Sequence, residues 1–250
     1  MALMAWKRSH PEYKLVPASY AGRLDPMASG TMLVLLGDEC KKQEKYTKLD
    51  KTYVIEVLLD LGSDTGDILG LITPSDKETI PQNSSLQAIF KKEIGAHEQA
   101  YPVYSSKTVA GKPLFLYALQ GRLDTIDIPT HTETIYSIQL RKMSTISSES
   151  LSRRITSLLE LVPLSTEPSK VLGADFRKNE VSQSWKKVLT TERTYTVLLI
   201  AVSCGSGTYM RSLAGRIGMA LGTRALALSI HRTSVGNQNV FKKLLHFFRY

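Results

Sequence analysis

The sequence has few of the residues that mark disulfide-linked, low-complexity or membrane-spanning proteins. Of its 250 residues, two are cysteines, Cys40 and Cys204, 16 are glycines and 10 are prolines. No apolar run approaches the roughly 18 residues that a membrane-spanning helix needs, and residues 1–6 do not resemble a secretory signal. These absences exclude a disulfide framework and a membrane protein, and they predict a cytoplasmic protein whose thiols are reduced.

Acidic residues are missing from the last fifth of the chain. Overall, 32 Lys and Arg outnumber 23 Asp and Glu, which gives a net charge of +9. Residues 201–250 contain no acid and seven cations: Arg211, Arg216, Arg224, Arg232, Lys242, Lys243 and Arg249. Charge of one sign is typical of proteins that neutralise phosphates. The pattern favours a nucleic-acid partner, the alternative being a basic surface that serves solubility alone.

The patterns of metal and nucleophile sites are also missing. The five histidines include no pair at ligand spacing, and the two cysteines lie too far apart for a zinc motif. Gly205-Ser206-Gly207 is too short for a nucleophile elbow, and the same segment lacks the second glycine and lysine of a P-loop. We therefore expect a site that works through a carboxylate and needs neither a metal nor a cofactor.

Periodicity in the sequence predicts an α+β protein. Alternating apolar residues predict strands around Tyr53 and Leu228, and apolar runs predict fully buried strands over 31–36 and 195–203. Helical spacing predicts helices over 84–94 and 210–221, the second closed by Gly222. Residues 145–194 are interpreted as an insertion on the main sheet with two helices, one around Ile155 and one from Phe176 to Leu189.

One candidate site is the loop Gly22-Arg23-Leu24-Asp25-Pro26-Met27-Ala28-Ser29-Gly30. Pro26 biases Asp25 away from the helical conformation, and the apolar run that follows would anchor the loop. Asp25 is then a candidate catalytic carboxylate. The alternative is an ordinary turn that the Asp25 side chain caps.

Two further segments carry polar groups. In Ser203-Cys204-Gly205-Ser206-Gly207-Thr208-Tyr209-Met210-Arg211, a strand ends in a glycine-rich turn that opens a helix with Arg211 in its first turn. The alternative is an ordinary helix start with a solvated arginine. Asp64 and Asp67 do not have the spacing of an EF-hand, and they indicate a turn between strands.

These segments resemble motifs of the TruB family of tRNA pseudouridine synthases. The Asp25 loop, with Leu33 to Gly37 and Lys41, is similar to the family's catalytic motif. Further similarities follow in family order over roughly residues 20–235. They are Lys51-Thr52-Tyr53, Ser63-Asp64-Thr65-Gly66-Asp67, Tyr104-Ser105-Ser106-Lys107, Gly111-Lys112, Leu116-Tyr117-Ala118, 203–211 and 224–232.

The resemblance implies the pseudouridine synthase fold, with a mixed, mainly antiparallel sheet, flanking helices and an RNA cleft. It implies a catalytic domain over 1–236, including the insertion, followed by a basic, aromatic tail over 237–250. Asp25 would be the catalytic aspartate, Arg211 its partner and Tyr53 the ring against the target base. The implied substrate-binding residues are Tyr20, Arg23, Lys107, Tyr209 and Ile230.

The sequence departs from the family pattern in three places. The N-terminal strand with its Lys-Pro-x-Gly motif is not recognisable before Pro17, which indicates a late start or a divergent N-terminus. Tyr20 stands where many members have a histidine, so the usual contact with the flipped nucleotide is in doubt. Beyond Gly236 too few residues remain for an appended PUA domain.

The implied reaction isomerises a uridine in the T-arm of tRNA, at position 55, to pseudouridine. It needs no cofactor, and the sequence shows no sign of an obligate protein partner or a membrane. Whether Asp25 acts as a nucleophile or as a base stays open. A non-catalytic RNA-binding or tRNA-folding module is the main alternative. A glycoside hydrolase is disfavoured because residues 201–250 supply no second carboxyl group.

Binding of RNA should weaken steeply as salt is added, because phosphate neutralisation releases counterions. The logarithm of the association constant should fall against the logarithm of salt concentration with a slope of about −0.7 to −0.9 per phosphate contact. Titrations of labelled tRNA at several salt concentrations measure this slope. A slope near zero would contradict the electrostatic interpretation.

Overall fold

The computed structural model describes residues 2–161 and 177–236. Its centre is a six-stranded sheet in which β2 pairs with β12 in parallel and all other neighbours are antiparallel. In order across the sheet the strands are β2 (Ser29–Gly30), β12 (Ala225–Val235), β4 (Lys51–Leu59), β11 (Thr194–Cys204), β10 (Thr130–Ser147) and β7 (Gly95–Ala100). The sheet is thus mixed and mainly antiparallel, as the α+β prediction requires.

Short elements surround this sheet. Three two-stranded pairs are formed by β1 (Ala18–Ala21) with β3 (Leu33–Leu36), β5 (Leu61–Ser63) with β6 (Ile72–Pro74), and β8 (Thr108–Val109) with β9 (Lys112–Pro113). The smaller helices are α1 (Ala2–Ser9), α2 (Gln43–Thr47) and α4 (Leu114–Leu119). Short 3-10 helices occupy Pro11–Tyr13, Gly37–Lys42 and Leu123–Thr125.

One face of the sheet packs against two amphipathic helices. Tyr53, Ile55 and Val57 alternate along β4 and bury their side chains on this face, as the period of two in a strand requires. They meet the apolar stripes of α3 (Asn83–Glu93) and α7 (Met210–Ala220). Both helices were predicted, and the observed ends agree with the prediction to within a residue or so.

The opposite face packs against α5 (Ser148–Glu160) and α6 (Lys178–Val188). Leu151 and Trp185 belong to the same buried cluster as Leu58 and Leu226 of the sheet, and the Trp185 indole Nε1 donates to the carbonyl of Ile68 at 2.9 Å. The two helices therefore form a layer of the same core.

The helical segment leaves and rejoins the sheet at neighbouring positions, because Ser147 at the end of β10 pairs with Thr194 at the start of β11. The segment that we interpreted as an insertion, 145–194, thus begins and ends on adjacent strands of one sheet. Phe176, which we placed in the second predicted helix, and the predicted tail 237–250 lie outside the described residues.

The prediction for residues 31–36 was partly wrong. The strand β3 begins at Leu33, pairs only with β1, and is fully buried only at Leu35. Thr31 instead binds the edge of β12, since its amide donates to the carbonyl of Arg232 at 2.7 Å and its hydroxyl to that of Thr233 at 3.1 Å. Thr31 therefore belongs to the edge of the main sheet, and the strand formed by the apolar run begins only at Leu33.

Both cysteines are free thiols in different environments. Cys204 is completely buried, and burial raises the pKa of its thiol to about 12. Cys40 is partly exposed. Within 2–161 and 177–236, no helix is both long and apolar enough to cross a membrane.

Replacing Leu151 by alanine should lower the free energy of unfolding by about 2–5 kcal/mol, because Leu151 is fully buried between α5 and the sheet and its loss leaves a cavity. Leu161→Ala is the matched control, since Leu161 is 78% exposed, and it should change the value by less than about 0.5 kcal/mol. Urea unfolding measures both. Equal effects would show that the helical layer contributes little to the core.

Candidate active site

A cavity of about 620 Å³ opens beside the loop between β1 and β2. Its wall combines apolar and aromatic side chains with an excess of positive charge. The charged residues that line it are Arg23, Lys51, Arg177, Arg211 and Arg232, against the two acids Asp25 and Asp67. Such a concave surface with excess positive charge favours an anionic ligand.

Asp25 projects from the loop toward the start of α7. Its carboxylate is 29% exposed and accepts hydrogen bonds from the Nε of Arg211 at 3.0 Å and from its Nη2 at 3.2 Å. The loop itself is held by a turn in which the amide of Ala28 donates to the carbonyl of Asp25. Among the described residues, no backbone amide donates to the Asp25 carboxylate. The Asp25 carboxylate is therefore held by Arg211 and does not cap its own turn.

Arg232 fastens the two ends of this loop. Its side chain is 1% exposed and donates to the carbonyls of Thr31 at 2.8 Å, Gly22 at 3.2 Å and Arg23 at 3.3 Å. Gly30 lies so close to β12 that an added Cβ would be 2.2 Å from the Arg232 carbonyl oxygen. Only glycine allows this approach, which brings the loop to the edge of the sheet.

Lys51 adds a second buried cation to the same region. It is 7% exposed, and its Nζ donates to the carbonyls of Thr47 and Leu49. Burial and the positive charge of Arg232 lower the pKa of the Lys51 ammonium. The described residues form no ion pair with Lys51 or Arg232, so this side of the cavity has positive charge that an anion could balance.

Arg211 is the group on which the loops converge. It is 4% exposed, and beyond its paired bonds to Asp25 it donates to the carbonyls of Thr65 at 2.6 Å and Tyr104 at 3.1 Å. Burial lowers the pKa of this guanidinium, but the negative charges of Asp25 and Asp67 outweigh that effect and raise it above its ordinary value. Arg211 therefore stays charged at every relevant pH.

Asp67 is the second acid at Arg211, and sequence reasoning did not place it in the site. The predicted turn between strands is present between β5 and β6, and it brings the Asp67 carboxylate to 3.6 Å from the Arg211 Nε. The Thr65 hydroxyl and the Leu69 amide donate to this carboxylate at 2.6 and 2.9 Å. Burial raises the pKa of Asp67 even though the Arg211 charge opposes the change. The sequence signal that could have indicated Asp67 was its place in the polar turn that follows the buried strand β4.

The remaining predicted residues fall into two groups. Tyr53, Tyr209, Ile230 and Arg23 line the cavity, and Tyr53 lies opposite Arg232 in the register between β4 and β12. Burial raises the pKa of the Tyr53 hydroxyl to about 12, which keeps this side chain neutral.

Tyr20 and Lys107 are described residues outside the cavity lining. The Arg23 guanidinium lies over the Tyr20 ring at 5.9 Å. The Lys107 ammonium lies 4.8 Å from the centre of the Tyr101 ring, which meets Tyr209 edge to face at 6.2 Å. Tyr20 thus contacts Arg23, which lines the cavity. Lys107 contacts Tyr101, which adjoins the cavity residue Tyr209.

Residues 2–161 and 177–236 contain no group of three or more His, Cys, Asp or Glu side chains that could hold a metal ion. The chemistry that the described groups offer is that of the partly exposed Asp25 carboxylate held by the buried Arg211 guanidinium, next to the neutral Tyr53 ring.

The fold is one that has been solved before. The chain aligns with a chain of the crystal structure of a Cbf5-Nop10-Gar1 complex with a TM-score of 0.51 and 19% identity, over 94% of this chain and 44% of that one. Residues 12–156 match the model for the N-terminal domain of the TruB family pseudouridylate synthases. The chain belongs to the TruB family, as its motifs indicated.

Curated relatives carry the name tRNA pseudouridine synthase B. The protein from Idiomarina loihiensis is 26% identical over 227 residues, 90% of this chain and 56% of its own length. Its counterpart from Ralstonia pickettii is 28% identical over 220 residues, 88% of this chain and 54% of that protein. The one from Bordetella avium is 26% identical, with 93% of this chain and 75% of the relative covered. The chain thus spans little more than half the length of the first two.

Replacing Tyr53 by phenylalanine should flatten the alkaline loss of stability. The Tyr53 pKa is about 12 in the folded chain and about 10 in an unfolded one. Its contribution is therefore complete below pH 10 and is lost as the pH rises through 12, by on the order of 2 kcal/mol. The free energy of unfolding, measured by urea between pH 9 and about 12, should fall more steeply for the parent than for the variant. Parallel curves would place Tyr53 in a more solvated environment.

Proposed function

We propose that this protein isomerises a uridine in the T-arm of tRNA, at position 55, to pseudouridine, with Asp25 as the catalytic carboxylate. The observation that carries the proposal is the paired hydrogen bonding of Asp25 to the buried Arg211 at the base of a basic, aromatic-walled cavity. Family membership and relatives named tRNA pseudouridine synthase B support the choice of reaction and substrate.

The reaction breaks the C1′–N1 bond of the target uridine, turns the base and joins C5 to C1′. N1 gains a proton and C5 loses one, so the composition of the nucleotide does not change. A stacked base must first be flipped out of the RNA to reach a catalytic group. The volume of about 620 Å³ suits a bound nucleotide, and Tyr53 offers a neutral ring as one wall.

Arg211 orients the carboxylate that acts on this nucleotide. Both of its bonds to Asp25 come from one edge of the planar guanidinium, through Nε and Nη2, so the carboxylate is held in the plane of that group. The 29% exposure of Asp25 leaves it accessible from the cavity. The same placement serves a carboxylate that attacks C1′ and one that removes a proton from the sugar.

The positive charges around the cavity would bind the RNA backbone. Arg23 lies at its exposed edge, where it can contact a phosphate, whereas the buried Lys51 and Arg232 add positive charge that no ion pair among the described residues balances. Phosphates are the anions that such a surface attracts from RNA. Tyr209 and Ile230 complete the pocket. Tyr20, beside Arg23, and Lys107, beside Tyr101, are proposed contacts to the flanking nucleotides.

The proposal includes a cytoplasmic location and action without an obligate protein partner or a cofactor. The purified chain should therefore modify tRNA without added components. A non-catalytic RNA-binding module, the alternative, would bind tRNA through the same cations and leave every uridine unchanged.

Asp25→Asn should abolish turnover while leaving the fold and RNA binding intact. Asparagine is nearly isosteric and still accepts hydrogen bonds, but it is neither a nucleophilic carboxylate nor a base. Affinity for tRNA should remain within a few-fold of the parent, with no detectable pseudouridine. The measurements are melting temperature, tRNA affinity and the pseudouridine yield on the same preparation.

Asp38→Asn is the matched control, because Asp38 is 90% exposed and forms a surface ion pair with Lys41, and it should retain the parental rate. A folded, tRNA-binding Asp25→Asn variant with a near-parental rate would remove Asp25 from the catalytic role. A parent protein that binds tRNA and never forms pseudouridine would favour the RNA-binding alternative.

A further inference from the structure

Arg177 links the helical segment between β10 and β11 to the cavity. Among the described residues of that segment, it is the one that lines the cavity. It lies just before α6, and its guanidinium donates to both Asp64 oxygens, from Nη1 at 2.7 Å and from Nη2 at 3.1 Å. The same guanidinium lies over the ring of Tyr104, 4.7 Å from its centre.

Asp64 and Tyr104, which Arg177 contacts, both adjoin groups that hold Arg211. The backbone carbonyl of Tyr104 accepts a hydrogen bond from Arg211, and so does the carbonyl of Thr65, the residue after Asp64. Asp64 is also fixed to its own turn, because its Oδ1 accepts from the Leu71 amide at 2.8 Å. Arg177 thus ties together the two loops that supply the carbonyl ligands of the Arg211 guanidinium.

We infer that Arg177 is a positioning residue for the reaction, which acts by fixing the Asp64 and Tyr104 loops and, through them, the direction of Arg211 and Asp25. The inference rests on the proposed function and adds a role for the helical segment. Its physical basis is the planar, two-bonded contact with Asp64, which is only 33% exposed, by an arginine that is 19% exposed. Catalytic geometry is sensitive to such support, since a displacement of about 1 Å can cost on the order of 100-fold in rate.

Arg177→Gln should lower the single-turnover rate of pseudouridine formation at saturating tRNA by about 10- to 100-fold, with the dissociation constant for tRNA changed by less than about threefold. Arg177→Lys keeps the charge but not the planar fork, so it should restore part of the rate. Arg153→Gln is the matched control, because Arg153 lies on α5 in an exposed pair with Glu149, and it should behave as the parent.

A second measurement reports on Arg211 without RNA or turnover. The Nε–H of a buried, hydrogen-bonded arginine gives a side-chain signal in ¹⁵N NMR spectra, which is assigned to Arg211 by its loss in Arg211→Lys. Arg177→Gln should shift or broaden this signal, and Arg153→Gln should leave it in place. Asp64→Asn breaks the same contact from the other side and serves if Arg177→Gln does not fold. Combined with Arg177→Gln, it should add little further loss of rate.

Three results would overturn the inference. An unchanged rate and an unchanged Arg211 signal in Arg177→Gln would make the pair a surface ion pair only. A lower melting temperature with the Arg211 signal in place would make it purely structural. A weaker tRNA affinity at an unchanged saturated rate would make Arg177 an RNA contact. If the parent itself forms no pseudouridine, the proposed function fails, and the Arg211 signal still decides whether Arg177 positions that side chain.

Discussion

The arrangement of the site follows from the need to satisfy one buried guanidinium. Removing a charge from water costs several kcal/mol unless hydrogen bonds and opposite charges replace the solvent. Arg211 obtains them from three separate parts of the chain, namely Asp25, the turn with Thr65 and Asp67, and Tyr104. These loops converge because each supplies a hydrogen-bond acceptor or a negative charge to the buried Arg211 guanidinium. The partly exposed Asp25 carboxylate is thereby held in a fixed position by Arg211.

The sheet order explains how distant segments supply these groups. Strand β12 lies between β2 and β4, so that Arg232 sits beside Tyr53 on one side and the Asp25 loop on the other. Strand β11 runs next to β4 and leads through a short turn into α7, which delivers Arg211 to the same end. The helices α5 and α6 complete the core on the opposite face of the sheet. Arg177, just before α6, lines the cavity.

The sequence allowed prediction of the parts that depend on local pattern. Periodicity located α3, α7 and the central strands, and the motif resemblance paired Asp25 with Arg211 and placed Tyr53 in the wall. Asp67 was not assigned a role, and Arg232 was counted only among the phosphate-neutralising cations of 201–250, because burial of a polar side chain depends on elements brought together by tertiary packing. The shortened β3 has the same origin, since Thr31 binds the edge of β12 and is not part of the predicted strand.

The contrast between the two thiols gives the chain a natural handle for chemical labelling. Alkylating reagents such as maleimides attack the thiolate form of an accessible cysteine. Cys204 is completely buried, and burial raises its pKa to about 12. In the folded protein it is therefore protected, because reagents cannot reach it and its thiol stays protonated. Cys40 is partly exposed in the Gly37–Lys42 helix, which follows the strand that pairs with β1. A fluorophore can therefore be attached next to the β1–β3 pair without removing a native cysteine.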